Sequence, residues 1–363
     1  MTHRFEPSVA GLRRLAQWIE SSAKRRAAFV AVAMGLALLG WSTSIGGQDE
    51  ERYRLAAHAL VEGRNPYEVR DYNLLPIVAQ AGAALVALGG DTAWTVGFHT
   101  MHVLGAMLLI WVSSRLTDWS FTTRWSAVAV LALTALPVIE CIEFGNMAAT
   151  ASGMLVLGLW QLPHRRRLAS AAISLSIAIK PVGVCAIPVL FAIRSTRRAA
   201  LESGVFLGLL LAPGATLLGD FVAKSQSWAG WWTQMRETAA LYAVVYEYGL
   251  HVSTSAWLAL VTLVASAIAL VPQPSPRALV PLIVIASLAS SPSIYRYTMS
   301  LALPLATMGL ESALAAGGPL GLAVAFACVI GSWWSHVLHA FTFLPLAILG
   351  YLAAKPVRRN ARE

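Results

Sequence analysis

A chain of 363 residues with 57% hydrophobic and 12% charged side chains has about half the charge density of a water-soluble domain. Its mean hydropathy of +0.63 and its apolar runs, recurring from Ala27 to Ala354, exclude a soluble globular fold and call for lipid as the solvent. The net charge of +9 is divided among short basic clusters between apolar runs; that is the pattern of cytoplasmic loops, and it excludes a nucleic-acid-binding surface. The expected fold is all-α, a polytopic transmembrane helical bundle of about 10–12 membrane segments, in one domain over residues 27–354.

In chain order, residues 1–26 form a basic lead, placed in the cytoplasm by Arg13-Arg14 and Lys24-Arg25-Arg26. Residues 27–45 lack a convincing cleavage site and read as a signal-anchor span. They deliver a first external loop, residues 46–73, which opens on Asp49-Glu50-Glu51-Arg52-Tyr53. Residues 50–62 carry a helical pattern that Gly63 stops. Leu55, Ala56, Ala59 and Leu60 give it an apolar face, so this amphipathic helix is expected along the membrane surface. Asn65-Pro66 then turns the chain.

Residues 74–90 and 93–113 are apolar and separated by Gly89-Gly90-Asp91. If Arg115 and Arg124 are cytoplasmic, the pair crosses once in net, and one half is interfacial or re-entrant. If both halves span, those arginines lie outside, against the positive-inside rule. The sequence leaves both arrangements open.

Residues 125–139 are expected to rise to an outer turn at 140–146, and residues 147–162 to return to Arg165-Arg166-Arg167. Residues 168–193 lie between that cluster and Arg194, Arg197 and Arg198, which implies an even number of crossings. A hairpin broken at Lys180-Pro181 satisfies this, because proline ends or kinks the preceding helix. Residues 199–218 lead to a second external loop, residues 220–250, rich in Trp228, Trp231, Trp232, Tyr242, Tyr246 and Tyr248. These aromatics read as an interfacial belt before a sugar-stacking surface. Apolar stretches at 252–271, 278–290, 298–310, 317–334 and 337–354 precede a cytoplasmic tail at 355–363. Cys141, Cys185 and Cys328 show no metal-ligand spacing and read as small packing residues.

Ionisable groups at membrane depth or at its edge are candidates for chemistry. Four clusters qualify. Asp49, Glu50 and Glu51 open the first external helix, where an acidic run also serves as a plain N-terminal cap. Glu140, Glu143 and Asn146 share an outer turn with Gly145, which is also what an ordinary polar turn looks like. Lys180, one of four lysines in the chain, sits in an apolar run and needs a carboxylate or a ligand phosphate as its partner. Arg296, in Ser291-Pro292-Ser293-Ile294-Tyr295-Arg296-Tyr297, offers a phosphate-binding fork or an interfacial anchor. Together they describe an outward-facing cavity with acids on one side and cations on the other. That combination suits a lipid-linked phosphate donor.

The segment Asp49-x-x-x-Tyr53-x-x-Ala56-x-x-x-Leu60-x-x-Gly63-x-Asn65-Pro66-Tyr67, followed by Tyr72 and Pro76, resembles a known family. It is similar to the alpha-mannosyltransferases of the GT-C superfamily that use polyprenyl-phosphate-mannose and build bacterial envelope glycolipids. Gly145-Asn146, the small-residue run from Ala169 to Lys180-Pro181, and Ser291-Pro292 extend the resemblance over about residues 49–304. It departs at the residue after Gly145, where a glutamine is usual, at Leu74 in place of an aromatic, and at Tyr295-Arg296-Tyr297 in place of Trp and His.

The resemblance implies a GT-C fold and inverting transfer of a sugar, mannose first among the candidates, from a polyprenyl phosphate to an acceptor hydroxyl. It assigns Asp49 as general base. Lys180 and Arg296 would hold the donor phosphate. Glu50, Tyr53, Asn65, Tyr67, Glu143, Asn146 and Tyr297 would shape the sugar and acceptor pocket. It requires no cofactor, although an acid pair such as Asp49 and Glu143 leaves a divalent metal open. Its partners are the lipid-linked donor, a glycolipid or glycan acceptor and membrane lipids, with no nucleic acid. The expected place is the plasma (inner) membrane, with the N-terminus cytoplasmic and the active site extracytoplasmic. Two alternatives stay open: the same fold using lipid-linked arabinofuranose or glucose, and a non-catalytic transporter of lipid-linked sugars. The absence of an inverted repeat weighs against the transporter.

Overall fold

A computed structural model of the chain describes residues 47–117, 138, 140–141, 144–232, 253–270, 275–291, 296–315 and 343–354, together with Trp18, Ser21, Ser22, Lys24 and Arg25. It is all-helical, with 84% helix and no strands among the described residues. The expected spans at 27–45 and 317–334, that at 125–139 except for Val138, Glu143, Cys328 and the tail lie outside the described residues.

Helix α1 (Gln48–Val61) has Asp49, Glu50 and Glu51 in its first turn, where the positive end of the helix dipole favours acids. It ends at Gly63, whose φ of +73° brings the Arg64 N–H within 2.7 Å of the Ala59 carbonyl. Its buried stripe is Glu50, Tyr53, Ala56, Ala57 and Ala59. The apolar face expected from Leu55, Ala56, Ala59 and Leu60 is therefore rotated, and Leu55 is exposed. The cause is packing: α1 lays its small residues on α2 instead of turning its largest apolar side chain inward.

Helix α2 (Pro76–Arg115) is broken at Gly89 and Gly90, and Gly90 has φ +61°. The two halves fold back on each other. A Cβ on Gly82 would stand 2.5 Å from the Trp94 ring, and one on Gly97 would stand 2.9 Å from Leu85. The first half rises only about 20 Å, too short for a hydrocarbon core of about 30 Å, whereas the second rises roughly 37 Å. Both arrangements that the sequence left open keep this break, which falls at Gly89-Gly90 as the sequence placed it.

Small residues set the next contacts, as is usual where lipid supplies no hydrophobic drive between helices. In α3 (Ala148–Gln161), Gly153 approaches the Gly105 carbonyl, and Thr150 fills the space over Gly105. Helix α4 (Arg166–Ile179) packs on Gly158 through Ile173. Helix α6 (Arg197–Leu211) runs parallel to α4: Ser170 donates to the Ala199 carbonyl at 3.0 Å, and Ser174 to the Ser203 carbonyl at 2.7 Å. Arg166 pairs with Glu202 at 3.0 Å, so the two basic clusters stand at one level. Between them the chain turns at Lys180, passes a 3-10 turn (Pro181–Gly183) and returns through α5 (Ala186–Ala192).

The expected loop at 220–250 opens as helix over its described residues: a 3-10 stretch (Ala212–Leu217) leads into α7 (Leu218–Trp232). Helices α8 (Thr254–Leu270), α9 (Pro276–Ser290), α10 (Leu303–Ala315) and α11 (Phe343–Ala354) complete the described bundle. A 3-10 turn, Arg296–Ala302, precedes α10. Its Ser300 hydroxyl lies 3.5 Å from that of Ser152 on α3. Arg277 and the buried Glu311 tie α9 to α10.

Two helical stretches among the described residues, Pro76–Arg115 and Arg197–Ser227, are long and apolar enough to cross a membrane. Leu201, Val205 and Leu209 on α6 and Leu263 on α8 are largely exposed. A continuous apolar surface of this kind is stable in lipid and a liability in water. These apolar helices point to membrane association.

Candidate active site

The first turn of α1 meets the turn before α3. The Asp49 N–H, one of the free donors of a helix start, donates to the Phe144 carbonyl at 3.1 Å. Gly145 makes the approach possible. Its φ is +65°, and a Cβ there would lie 2.6 Å from the Glu50 Cβ. The next residue, Asn146, is buried, and its backbone N–H donates to the Cys141 carbonyl at 2.7 Å.

Asn146 joins the two charged candidates. Its Nδ2 donates to Asp49 Oδ2 at 2.6 Å, and its Oδ1 accepts from Lys180 Nζ at 2.9 Å. The Ala148 N–H also donates to Oδ1, at 2.9 Å. Both lone pairs of Oδ1 are thus engaged, which fixes the amide orientation: a flipped amide would set its NH2 against an ammonium and an N–H. Lys180 reaches the site because Pro181 ends α4 there, with the lysine in extended conformation at the C-cap. The Asp49 side chain keeps 15% of its surface, and its Oδ1 accepts from Arg52 Nη1 at 3.0 Å.

Glu50 is 8% exposed. Its carboxylate takes His99 Nε2 at 3.1 and 3.2 Å, across from α2. Tyr53 is buried beside Tyr72 and Phe98. Tyr67 lies in the same aromatic cluster, and its hydroxyl donates to the Leu74 carbonyl at 2.8 Å. Burial, with Asp220 nearby, pushes the Tyr67 phenol well above its ordinary range, so it stays a neutral donor. Asn65 caps the 3-10 turn Pro66–Glu68 by accepting from the Tyr67 N–H, and it donates to Asp220 at 2.8 Å. Lys224 donates to the Tyr67 carbonyl at 3.0 Å, so α7 packs over the turn that follows α1.

The structure thus gathers Asp49, Asn146 and Lys180, with Glu50 adjacent. It directs Asn65 to Asp220 and Tyr67 to Leu74, outside that hydrogen-bonded group. Glu143 and the side chains of Arg296 and Tyr297 lie outside the described residues, and the backbone of the last two opens the 3-10 turn against α3. Cys141 and Cys185 are buried thiols within the core. Among the described residues no cluster of three His, Cys, Asp or Glu side chains could hold a metal ion.

Three residues at this site escaped the sequence reading. His99 stands in an apolar run, and an ionisable group there was the available signal. Arg52 carried a signal only as part of the acidic motif. Asp71, at φ +66°, pairs with Arg52 at 3.4 Å and carried none.

Comparison with curated proteins and with solved structures found no match. The model of glycosyltransferase family 87 matches residues 76–291. That stretch, more than half of the chain, contains His99, Asn146 and Lys180 and begins after Asp49. The protein belongs to glycosyltransferase family 87, and the family together with its apolar helices makes it a membrane glycosyltransferase.

Proposed function

We propose that the protein transfers a sugar, mannose, from a polyprenyl-phosphate-linked donor to an acceptor hydroxyl on the extracytoplasmic face, with inversion and with Asp49 as general base. The observation that carries this reading is the chain of contacts Asp49–Asn146–Lys180. A general base must be a carboxylate held in place and within about 3 Å of the hydroxyl it deprotonates. Asn146 supplies the holding. It orients Asp49 through Oδ2 and keeps the carboxylate partly open to the outside.

Leaving-group departure needs a cation near the phosphate as charge accumulates on it. Lys180 has that charge, and Asn146 Oδ1 fixes its Nζ at a set distance from the base. Glu50 is anchored by His99 and keeps the first turn of α1 in register. The buried Tyr53, Tyr67 and Tyr72 pack on one another behind the site and give it a rigid wall. The family membership supports sugar transfer as the reaction class.

The test is transfer of radiolabelled mannose from polyprenyl-phosphate-mannose by the purified protein, with envelope lipid extract as acceptor. Label should enter a new product with the native chain and not with Asp49→Asn, while both variants keep the same thermal stability. Turnover retained by Asp49→Asn would remove the base assignment. A native chain that is silent with mannose but active with another lipid-linked sugar would move the donor.

A further inference from the structure

Three charged side chains at the rim of the Asp49 site have no role in the reading above. Arg52 uses its two terminal nitrogens on two acids: Nη1 on Asp49 Oδ1 at 3.0 Å, and Nη2 on Asp71 Oδ2 at 3.4 Å. Arg70 Nε lies 3.8 Å from the same Asp71 oxygen. The Asp71 carboxylate therefore sits between two guanidinium groups and touches each at a distance too long for a directed hydrogen bond. Arg52 and Asp71 are each about a third exposed, and Arg70 is almost wholly so.

The backbone reinforces the arrangement. Asp71 has φ +66°, the one non-glycine residue with positive φ among those described. Aspartate is among the few non-glycine residues that adopt the left-handed region, and this backbone sets the Asp71 carboxylate beside Arg52. Guanidinium forks bind phosphate through paired, charge-assisted hydrogen bonds shorter than either contact seen here. A phosphate brings more charge and more acceptor oxygens than a carboxylate, so it can displace this loosely held partner.

We propose that Arg52 and Arg70 form a phosphate-capture site at the rim of the Asp49 pocket, with the Asp71 carboxylate as the internal competitor that a substrate phosphate displaces. The proposal rests on reading Asp49 as the base of a sugar transfer, and it adds a coupling to that reading. When the Arg52 guanidinium turns to a phosphate, its Nη1 leaves Asp49 Oδ1. That oxygen then faces the acceptor hydroxyl, while Asn146 still holds Oδ2. Phosphate binding and exposure of the base become one event. The phosphate has two possible sources, the isoprenoid phosphate of the donor and the phosphodiester headgroup of a lipid acceptor.

The full chain in neutral detergent is titrated with radiolabelled farnesyl phosphate, with short-chain phosphatidylglycerol, and with farnesol as the uncharged control. Arg52→Gln should weaken phosphate-ligand binding by about tenfold, the scale of one charged hydrogen bond. Arg70→Gln, being more exposed, should weaken it by roughly threefold. Asp71→Asn should tighten it several-fold, since asparagine accepts positive φ while the competing charge is gone. Farnesol binding should not change. A structural role for the Arg52–Asp71 pair would make Asp71→Asn weaken binding along with Arg52→Gln, and that result overturns the proposal, as does unchanged affinity in Arg52→Gln. A response confined to farnesyl phosphate assigns the site to the donor, and one confined to phosphatidylglycerol assigns it to the acceptor. Binding is read without turnover, so the two readings fail separately. If Asp49→Asn keeps turnover while the rim variants move in opposite directions, the base assignment falls and the capture site stands; the reverse pattern removes the capture site alone.

Discussion

Replacing Gly145 by alanine probes the contact that brings Asn146 to Asp49. Two effects add at this position. A left-handed backbone costs an alanine about 1–2 kcal/mol, and Gly145 has φ +65°. The new Cβ would also lie 2.6 Å from the Glu50 Cβ and 3.1 Å from the Glu50 backbone nitrogen. The second of these neighbours is helix backbone, so it cannot swing aside, and overpacking of this kind costs about 1–3 kcal/mol. The turn must draw back from α1, stretching the Asp49 N–H bond to Phe144 and the 2.6 Å bond from Asn146 to Asp49. A shift of about 1 Å at a catalytic group lowers turnover by roughly a hundredfold.

Gly63→Ala is the matched control, because Gly63 has φ +73° and a Cβ added there would meet nothing within 4 Å. It carries the backbone cost alone. Sugar transfer and thermal inactivation would be measured for both variants in the same detergent. Gly145→Ala should lose activity about a hundredfold beyond Gly63→Ala, whose activity should stay near native. Equal activities for the two would refute the reasoning, because the Glu50 contact would then have no bearing on the site.

Other substitutions test separate links. Asn146→Asp puts a carboxylate oxygen where Nδ2 now donates to Asp49; two carboxylates so close share a proton, and transfer should fall about a hundredfold or more in the labelled-sugar assay. His99→Gln removes the ring that faces Glu50 and should lower stability by about 1–2 kcal/mol, a figure discounted for the partial exposure of the pair, read by the thermal midpoint of the purified chain. Gly105→Ala brings a Cβ to 2.1 Å from Thr150 Oγ1 and 2.7 Å from its Cα, so α2 and α3 should separate at a cost of about 2–3 kcal/mol, with Gly208→Ala, which meets open space, as the neutral comparison. Leu209→Arg sits on the exposed face of α6; in water it would be nearly neutral, but in lipid it should cost about 2.5–3.5 kcal/mol, seen as loss of membrane-integrated protein.

Much of the bundle could be read locally. Three acids ahead of a helical pattern and a glycine behind it locate α1. A proline after Lys180 locates the break between α4 and α5, and paired glycines locate the break in α2. Each of these signals lies within a few residues of the feature it produces. The folding back of the two halves of α2 was not legible because it depends on Gly82 meeting Trp94 and Ala57, a packing choice with no local trace. The face of α1 was misjudged for the same reason: Leu55 fits an apolar stripe, but small residues let α1 and α2 approach.

The site follows the same division. Asp49, Asn146 and Lys180 each drew notice as polar groups in an apolar chain, yet their union spans 97 residues in one bond and 34 in the next. The antiparallel register of α1 on α2 shows what was missing. Glu50 meets His99, and eight residues later His58 meets Asp91 at 2.7 Å, eight residues earlier on α2. Given that register, His99 could have been named as the partner of Glu50 from sequence alone, because the helical rise is the same on both sides. Without it, a histidine in an apolar helix is one of several. Arg52 and Asp71 were hidden differently. Their pairing depends on where the turn after α1 carries Asp71, and its positive φ is one that aspartate tolerates without requiring it, so the residue type leaves no local trace.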